Sequence, residues 1–269
     1  MEYRYYRPAK LDHLVLIIWE QRNDEPFNIQ FLPSGFVELI FNIGPEAQDV
    51  KGKRVGTAFN PTENFCFLSG LHTRPLQLAF PRFHVMGVQM YPIAVKTLFG
   101  LPGAELRDWA LLGDLILSET SRIEDLLREQ RDDFFTKARW LEDYLLDKIR
   151  ETSELHLAIK MKETLGKVKR HLWEGKRVDI TDYTGYSRMH TYKLFSDWFG
   201  TGPSQTLRLH QFVHAVQLMH TQSLSLNQIG LASGFYDQAH FIRVFREFAA
   251  MTPGCYKKQM TDFPGQLFW

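Results

Sequence analysis

A pattern that occurs twice near the end of the chain limits the possible folds more than any other feature. The first copy is Ile180-Thr181-Asp182-Tyr183-Thr184-Gly185-Tyr186-Ser187, running into Arg188–Phe195. The second is Ile229-Gly230-Leu231-Ala232-Ser233-Gly234-Phe235, running into Tyr236–Phe245. Each has a small residue, a Gly four positions later, and then an amphipathic stretch closing on Leu-Phe or Val-Phe. The small residue lets two helices cross closely, and the Gly supplies the positive φ of a tight turn. Two helix-turn-helix units therefore predict a helical C-terminal region that meets a duplex at two places.

Charge distribution agrees with that reading. Residues 160–269 carry 14 Lys+Arg against 8 Asp+Glu, whereas residues 1–159 carry 18 against 23. A basic C-terminal half favours an anionic partner. The chain has 269 residues, enough for two cores. The expected units are residues 1–150, for sensing or oligomerisation, and 155–269, for DNA binding, with the junction near Glu151–Glu154. No apolar run reaches membrane-spanning length, and Met1–Arg7 lacks the apolar core of a signal peptide. Cys66 and Cys255 are too few for a disulfide framework or a zinc cluster. A cytoplasmic protein is the expectation.

Residues 1–100 read as short strands. The runs 14–19, 36–43, 65–68, 76–80 and 84–90 are apolar or β-branched, with Gly, Pro or Asn between them, as in a sandwich or barrel. The period then changes. Helices are expected over 93–99, 104–117, 123–130 and 133–150. In the last, Phe134, Phe135, Ala138, Leu141, Tyr144, Leu145 and Ile149 form a stripe that completes the N-terminal core or makes a dimer seam. Further helices are expected over 155–173, 178–184, 187–199, 204–222, 226–233 and 237–248, with a last short one opening at Pro253. The fold class is multi-domain α+β: a β-barrel or sandwich with helices, then an all-α domain with two helix-turn-helix units joined by a connecting helix.

Residues 155–258 resemble the DNA-binding domain of AraC/XylS-type transcription regulators. Gly234-Phe235, Asp237-Gln238, Phe241, Arg243, Phe245, Pro253 and Tyr256 carry the likeness, with Gly185, Ser187, Leu194-Phe195, Gly200 and Pro203 in support. Four positions depart from the family: Thr181 replaces its usual Ala, Gln211 an Arg, Thr206 an aromatic and Ala250 a Gly. Thr181 is expected to loosen the first unit or adjust its helix crossing. The N-terminal half resembles, more weakly, the cupin-like sensing domain of such regulators. Leu32–Gly35, Gly70–Pro75, Gly87–Pro92 and Leu98–Pro102 carry that likeness. The resemblance implies a domain that binds a small effector, dimerises, or both.

Recognition helices place residues near their N-terminal ends against base edges. In the first unit these are Arg188, Met189, Tyr192 and Lys193, with Ser187 placed to cap the helix and bond a phosphate. In the second they are Gln238, Ala239, His240, Ile242 and Arg243. Arg243 matches guanine bidentately, Gln238 matches adenine, and Met189, Ala239 and Ile242 match thymine methyls. Phosphate candidates are Lys169, Arg170, Lys176, Arg177, Arg208, Arg246, Lys257 and Lys258. A rigid connecting helix would hold the two recognition helices about 34 Å apart. The expected partners are double-stranded operator DNA and a second copy of the chain. A small effector and RNA polymerase remain open.

No catalytic chemistry is expected. His210 and His214 stand i, i+4 on the connecting helix, but Gln211 follows where a zinc protease needs Glu. His13, His72 and His84 do not form a cupin metal triad, and no cofactor is expected. Dense aromatics (Trp19, Phe31, Phe36, Phe41, Phe65, Phe67, Phe80, Phe83, Tyr91) pack a core or line an effector pocket. Arg74 would meet an anionic ligand or pair with an acid such as Glu38. The competing readings are a ligand-free constitutive dimer that binds DNA or other proteins, and an enzyme built on the N-terminal barrel.

Overall fold

The computed structural model describes residues 2–44, 51–54, 57–59, 65–80, 83–129, 133–149 and 153–268. The N-terminal half is two antiparallel sheets. The first contains β1 (Glu2–Tyr6), β2 (Val15–Asn23), β4 (Val37–Asn42), β7 (Cys66–Ser69), β9 (Phe83–Met90) and β10 (Ala110–Leu112), in the order β1-β2-β9-β4-β7-β10. The second contains β3 (Phe27–Phe31), β5 (Lys51–Arg54), β6 (Thr57–Phe59), β8 (Leu76–Phe80) and β11 (Gln266–Phe268), in the order β11-β3-β8-β5-β6. The side chains of Phe80 and Phe83, and residues 151–152 at the expected junction, lie outside the described residues.

Alternation along the strands gives the six-stranded sheet two apolar faces. Val37, Leu39 and Phe41 of β4 join Met86, Val88 and Met90 of β9 in the main core. The intervening Ile40 and Val85 join Trp19 of β2 in a separate cluster on the other face. Trp19 stands opposite Gly87 across β2 and β9. A Cβ at Gly87 would collide with the indole, so the glycine makes room for the ring.

Helices cover the main-core face. They are α1 (Ile93–Phe99), α2 (Thr120–Arg128) and α3 (Phe134–Lys148). On α3, Phe134, Ala138, Leu141 and Leu145 are fully or nearly fully buried in this chain's own core. The stripe therefore completes the N-terminal core, leaving Phe135 and Leu146 outside. Glu142 fastens the helix to the first strand: it accepts from the Tyr6 hydroxyl at 2.7 Å and the Lys10 amide at 2.8 Å.

The helix expected over 104–117 does not form. A 3-10 turn at Gly103–Leu106 is followed by β10 and a second 3-10 turn at Gly113–Leu115. Asp108 breaks any helix there, with φ 55. Its carboxylate instead accepts from the Thr73 amide and hydroxyl, both at 2.6 Å. Ala110–Leu112 then pair with β7. Tertiary pairing has overridden a local helical period.

The C-terminal half is helical: α4 (Ser153–Trp173), α5 (Ile180–Thr184), α6 (Arg188–Phe199), α7 (Pro203–Thr221), α8 (Leu226–Ala232), α9 (Gln238–Ala249) and α10 (Pro253–Gln259). Its core is continuous with that of the N-terminal half. After α10 the chain returns to the N-terminal half as β11, pairing Gln266 with Phe31, Leu267 with Gln30 and Phe268 with Ile29. Among the described residues, no helix is long and apolar enough to cross a membrane.

Candidate nucleic-acid interface

The two units are α5–α6 and α8–α9, with α7 between them. In the first, α5 ends at Gly185 with φ 71, and Ser187 caps α6 by accepting from the His190 amide at 3.3 Å. In the second, α8 begins with a Ser225–Gln228 capping box, and Gly234 makes the turn with φ 77. Asp237 then caps α9, accepting from the His240 amide at 2.7 Å. The second turn is one residue longer, because its cap lies three positions after the glycine rather than two.

The residues at the two helix crossings differ. Counted from the cap residues, Thr191 in α6 corresponds to Phe241 in α9. A Cβ on Gly230 would lie 3.1 Å from the Phe241 ring, so the small residue there accommodates an aromatic. In the first unit Thr181 is larger, but Thr191 is smaller than Phe. The Thr191 hydroxyl meets the Thr184 hydroxyl at 2.8 Å in the interior. Thr181 itself is partly buried, and its carbonyl accepts from the Thr184 hydroxyl at 3.1 Å.

The other departures also have identified roles. Gln211 of α7 is buried and donates from Nε2 to the Gly234 carbonyl at 2.6 Å, holding the second turn. Thr206 is buried, and its hydroxyl bonds the Thr201 hydroxyl and donates to the Gly202 carbonyl. Ala250 caps α9 in the left-handed conformation with φ 57, where Gly200 caps α6 with φ 76.

The faces left outside are largely those expected. On α6 and its cap, Ser187, Arg188, Met189, Tyr192 and Lys193 are exposed, Met189 at 80%, while Thr191, Leu194 and Phe195 are buried. On α9, Gln238, Ala239, Arg243 and Arg246 are exposed, and His240 and Ile242 are partly so. Phe241, Val244 and Phe245 turn inward. Burial, then the neighbouring Arg243, lowers the His240 pKa, so its imidazole is neutral near pH 7. Among the described residues, Arg243 and Arg246 make no ion pair, whereas Arg208 on α7 is bound to Glu247 at 3.3 Å.

Other basic candidates divide in the same way. Arg170, Arg177 and Lys258 are exposed. Lys176 pairs with Glu174, and Lys257 donates to the Leu224 carbonyl. Lys169 is partly enclosed beside the Trp173 ring, and burial lowers its pKa, so it is poorly placed for a phosphate. The connecting-helix histidines are occupied separately. His210 lies against Gly35, His214 stacks on Trp173 with ring centroids 4.1 Å apart, and His220 bonds the Tyr256 hydroxyl.

The sequence reading overlooked Tyr236. It is 89% exposed and immediately precedes the α9 cap. Tyr186 occupies the same place before Ser187 and leans on His190 with centroids 4.7 Å apart. A tyrosine before each cap residue is the signal that would have found both.

The sequence model described as a helix-turn-helix domain matches residues 180–259, and one described as a domain of unknown function (DUF6597) matches residues 4–111. The probable transcription factor PqrA of Proteus vulgaris is 29% identical over 89 residues, covering 33% of this chain and 73% of that protein. The HTH-type transcriptional regulator GlxA of Rhizobium meliloti is 32% identical over 83 residues, covering 31% of this chain but only 26% of its own. The structure of ToxT from Vibrio cholerae matches 97% of this chain and 100% of its own with a TM-score of 0.50 at 15% identity, a likeness of fold. Residues 180–259, which hold the two capped helices joined by one connecting helix, are thus a helix-turn-helix domain similar to those of these transcription regulators.

Proposed function

We propose that this chain binds operator DNA through α6 and α9 together, each in one of two adjacent major-groove segments. The observation that carries this reading is the pair of capped helices whose N-terminal turns present exposed polar and cationic side chains to solvent, Arg188 standing 3.9 Å from Asp179 and Arg243 without an ion pair among the described residues. Arg188, Lys193, Gln238 and Arg243 read base edges. Met189, Tyr192, Ala239, His240 and Ile242 add apolar or neutral polar contacts, and Ser187, Arg246 and Tyr236 hold phosphates. Residues 1–150, joined by the returning β11, act as the sensing unit and the helices of 155–269 as the DNA-binding unit, in a cytoplasmic protein without catalytic activity.

The returning C-terminal strand supports effector control over a constitutive protein. Pro264, Gly265 and Gln266 line a cavity between the two sheets. The Gly265 amide donates to the Tyr256 hydroxyl of α10 at 3.0 Å. A molecule in that cavity therefore bears on residues bonded to the second unit, the differential contact that allosteric control requires.

Selection of bound fragments from a random DNA pool at physiological salt tests the DNA reading. The expected result is two conserved boxes about one helical turn apart. Arg243→Ala should cost roughly 1–3 kcal/mol at one base pair and relax specificity there. Loss spread evenly over all sequences would assign Arg243 to the backbone, and a single box would refute simultaneous reading by both units.

A further inference from the structure

The cavity between the sheets has a volume of about 240 Å³, room for a small ligand. Its walls are largely aromatic: Trp19, Phe27, Phe31, Phe36 and Phe67 line it, and the Tyr3 ring stacks on Trp19 at 6.3 Å, 45% exposed. Among the described residues no lysine or arginine lines it. Among the described residues that line it, Glu38 alone carries a carboxyl group.

Glu38 has a cross-strand partner but, among the described residues, no counter-ion. Its Oε1 accepts from Gln89 Nε2 at 3.0 Å, and among the described residues no cation pairs with it. Arg74, the sequence-level candidate, is exposed, and Thr73 beside it is held by Asp108. The surface Glu38 retains faces the cavity. Burial raises its pKa above the ordinary carboxylate value, with the Gln89 bond partly opposing. Tyr3 shares that environment: burial first, then the Glu38 charge, pushes its phenol up to about 12. His72 is engaged by the Ser69 hydroxyl at 2.7 Å.

An enclosed carboxylate without a counter-ion is costly, and one partner of opposite charge removes most of that cost. Aromatic faces attract cations through their ring quadrupole. An anion would meet repulsion from Glu38 and find no lysine or arginine among the described residues, whereas a purely apolar molecule would leave the carboxyl without an opposite charge. We propose that the cavity takes an organic cation: a compact aromatic or aliphatic body bearing an ammonium group, seated against the aromatic walls with its charge at Glu38. This rests on the effector reading above and specifies the ligand's chemical class.

Calorimetric titration of the full chain with phenethylammonium, phenethyl alcohol and phenylacetate tests it. The ammonium should bind about tenfold or more tighter than the carboxylate, with the alcohol between them. Glu38→Gln should abolish the ammonium's advantage and leave the alcohol's affinity unchanged. The wild-type series stands alone should that variant fail to fold. Phenylacetate binding as tightly as the ammonium, or an advantage that survives in Glu38→Gln, overturns the charge assignment while leaving an effector cavity in place. No binding by any probe overturns both the assignment and the effector reading.

Discussion

Gly185 and Gly234 have nearly the same backbone conformation, φ 71 and 77, but different surroundings. A Cβ at Gly185 would meet nothing within 4 Å. At Gly234 it would lie 2.6 Å from Leu172 Cγ and 2.8 Å from the Leu172 carbonyl oxygen, so α4 itself would have to move. Alanine at either site carries the same left-handed strain, about 1 kcal/mol. At Gly234 a crowding cost of about 1–3 kcal/mol is added. Gly185→Ala should therefore lose about 1 kcal/mol and Gly234→Ala about 2–4 kcal/mol. The entropic gain in the unfolded chain is common to both and cancels in the difference. Urea unfolding followed by far-ultraviolet circular dichroism measures stability, and titration with the selected operator measures binding. Gly185→Ala should retain both boxes of the operator, while Gly234→Ala should lose contact with the α9 box first. Equal stability losses in the two variants would refute the view that Gly234 is fixed by close packing on α4 as well as by its φ.

Other substitutions test separate parts of the molecule. Ala250→Gly should raise stability by roughly 0.5–1 kcal/mol in the same urea assay, because relief of left-handed strain exceeds the added freedom of the unfolded chain. Gln211→Leu leaves the Gly234 carbonyl without its partner and should cost about 1–3 kcal/mol; unchanged stability would show that this bond does not hold the turn. For Glu20, burial alone would raise the carboxyl pKa, but His84 at 2.8 Å and Arg4 at 2.6 Å outweigh it and hold the pKa below the ordinary value. The stabilisation is thus present at neutral pH and lost as pH falls through that depressed pKa. Glu20→Gln should flatten the acid limb of a stability–pH profile relative to wild type, and an unchanged limb would remove this ion cluster as its cause.

The helical half was legible because its signals are local. Gly185, Gly234, Ser187, Asp237 and Pro203 each act within a few residues, so their positions mark helix ends. The inward positions of Leu194, Phe195, Phe241 and Phe245 follow from helical period alone. The N-terminal half was less legible because its elements depend on distant partners. Glu2–Tyr6 has the polar, exposed look of a loose end but pairs along β2. Residues 110–112 have a helical surround but are claimed by β7. Of the aromatics that could line a pocket, Trp19, Phe31, Phe36 and Phe67 do, but Glu38 and Gln89 join Trp19 in one site only when β2, β4 and β9 lie side by side.

The two recognition units are attached to the N-terminal half in different ways, and this asymmetry bears on how control would work. The first is in direct contact. Gly103 and the α6 cap Gly200 approach so closely that a Cβ on Gly103 would lie 2.8 Å from the Gly200 amide nitrogen. Lys96 of α1 lies over the Trp198 ring at 4.6 Å and 3.9 Å from Asp197. The second unit is linked through α10 and the tail, by way of Tyr256 and Gly265. A cavity ligand touches the tail but not the Gly103–Gly200 contact, so it should act chiefly on the unit that holds α9. Wild-type chain with phenethylammonium should therefore change protection of the α9 box more than that of the α6 box. Gly103→Ala, which wedges the other attachment, should do the reverse. Equal change at both boxes in both experiments would mean that the DNA-binding half moves as one body, and that the tail does not single out the second unit.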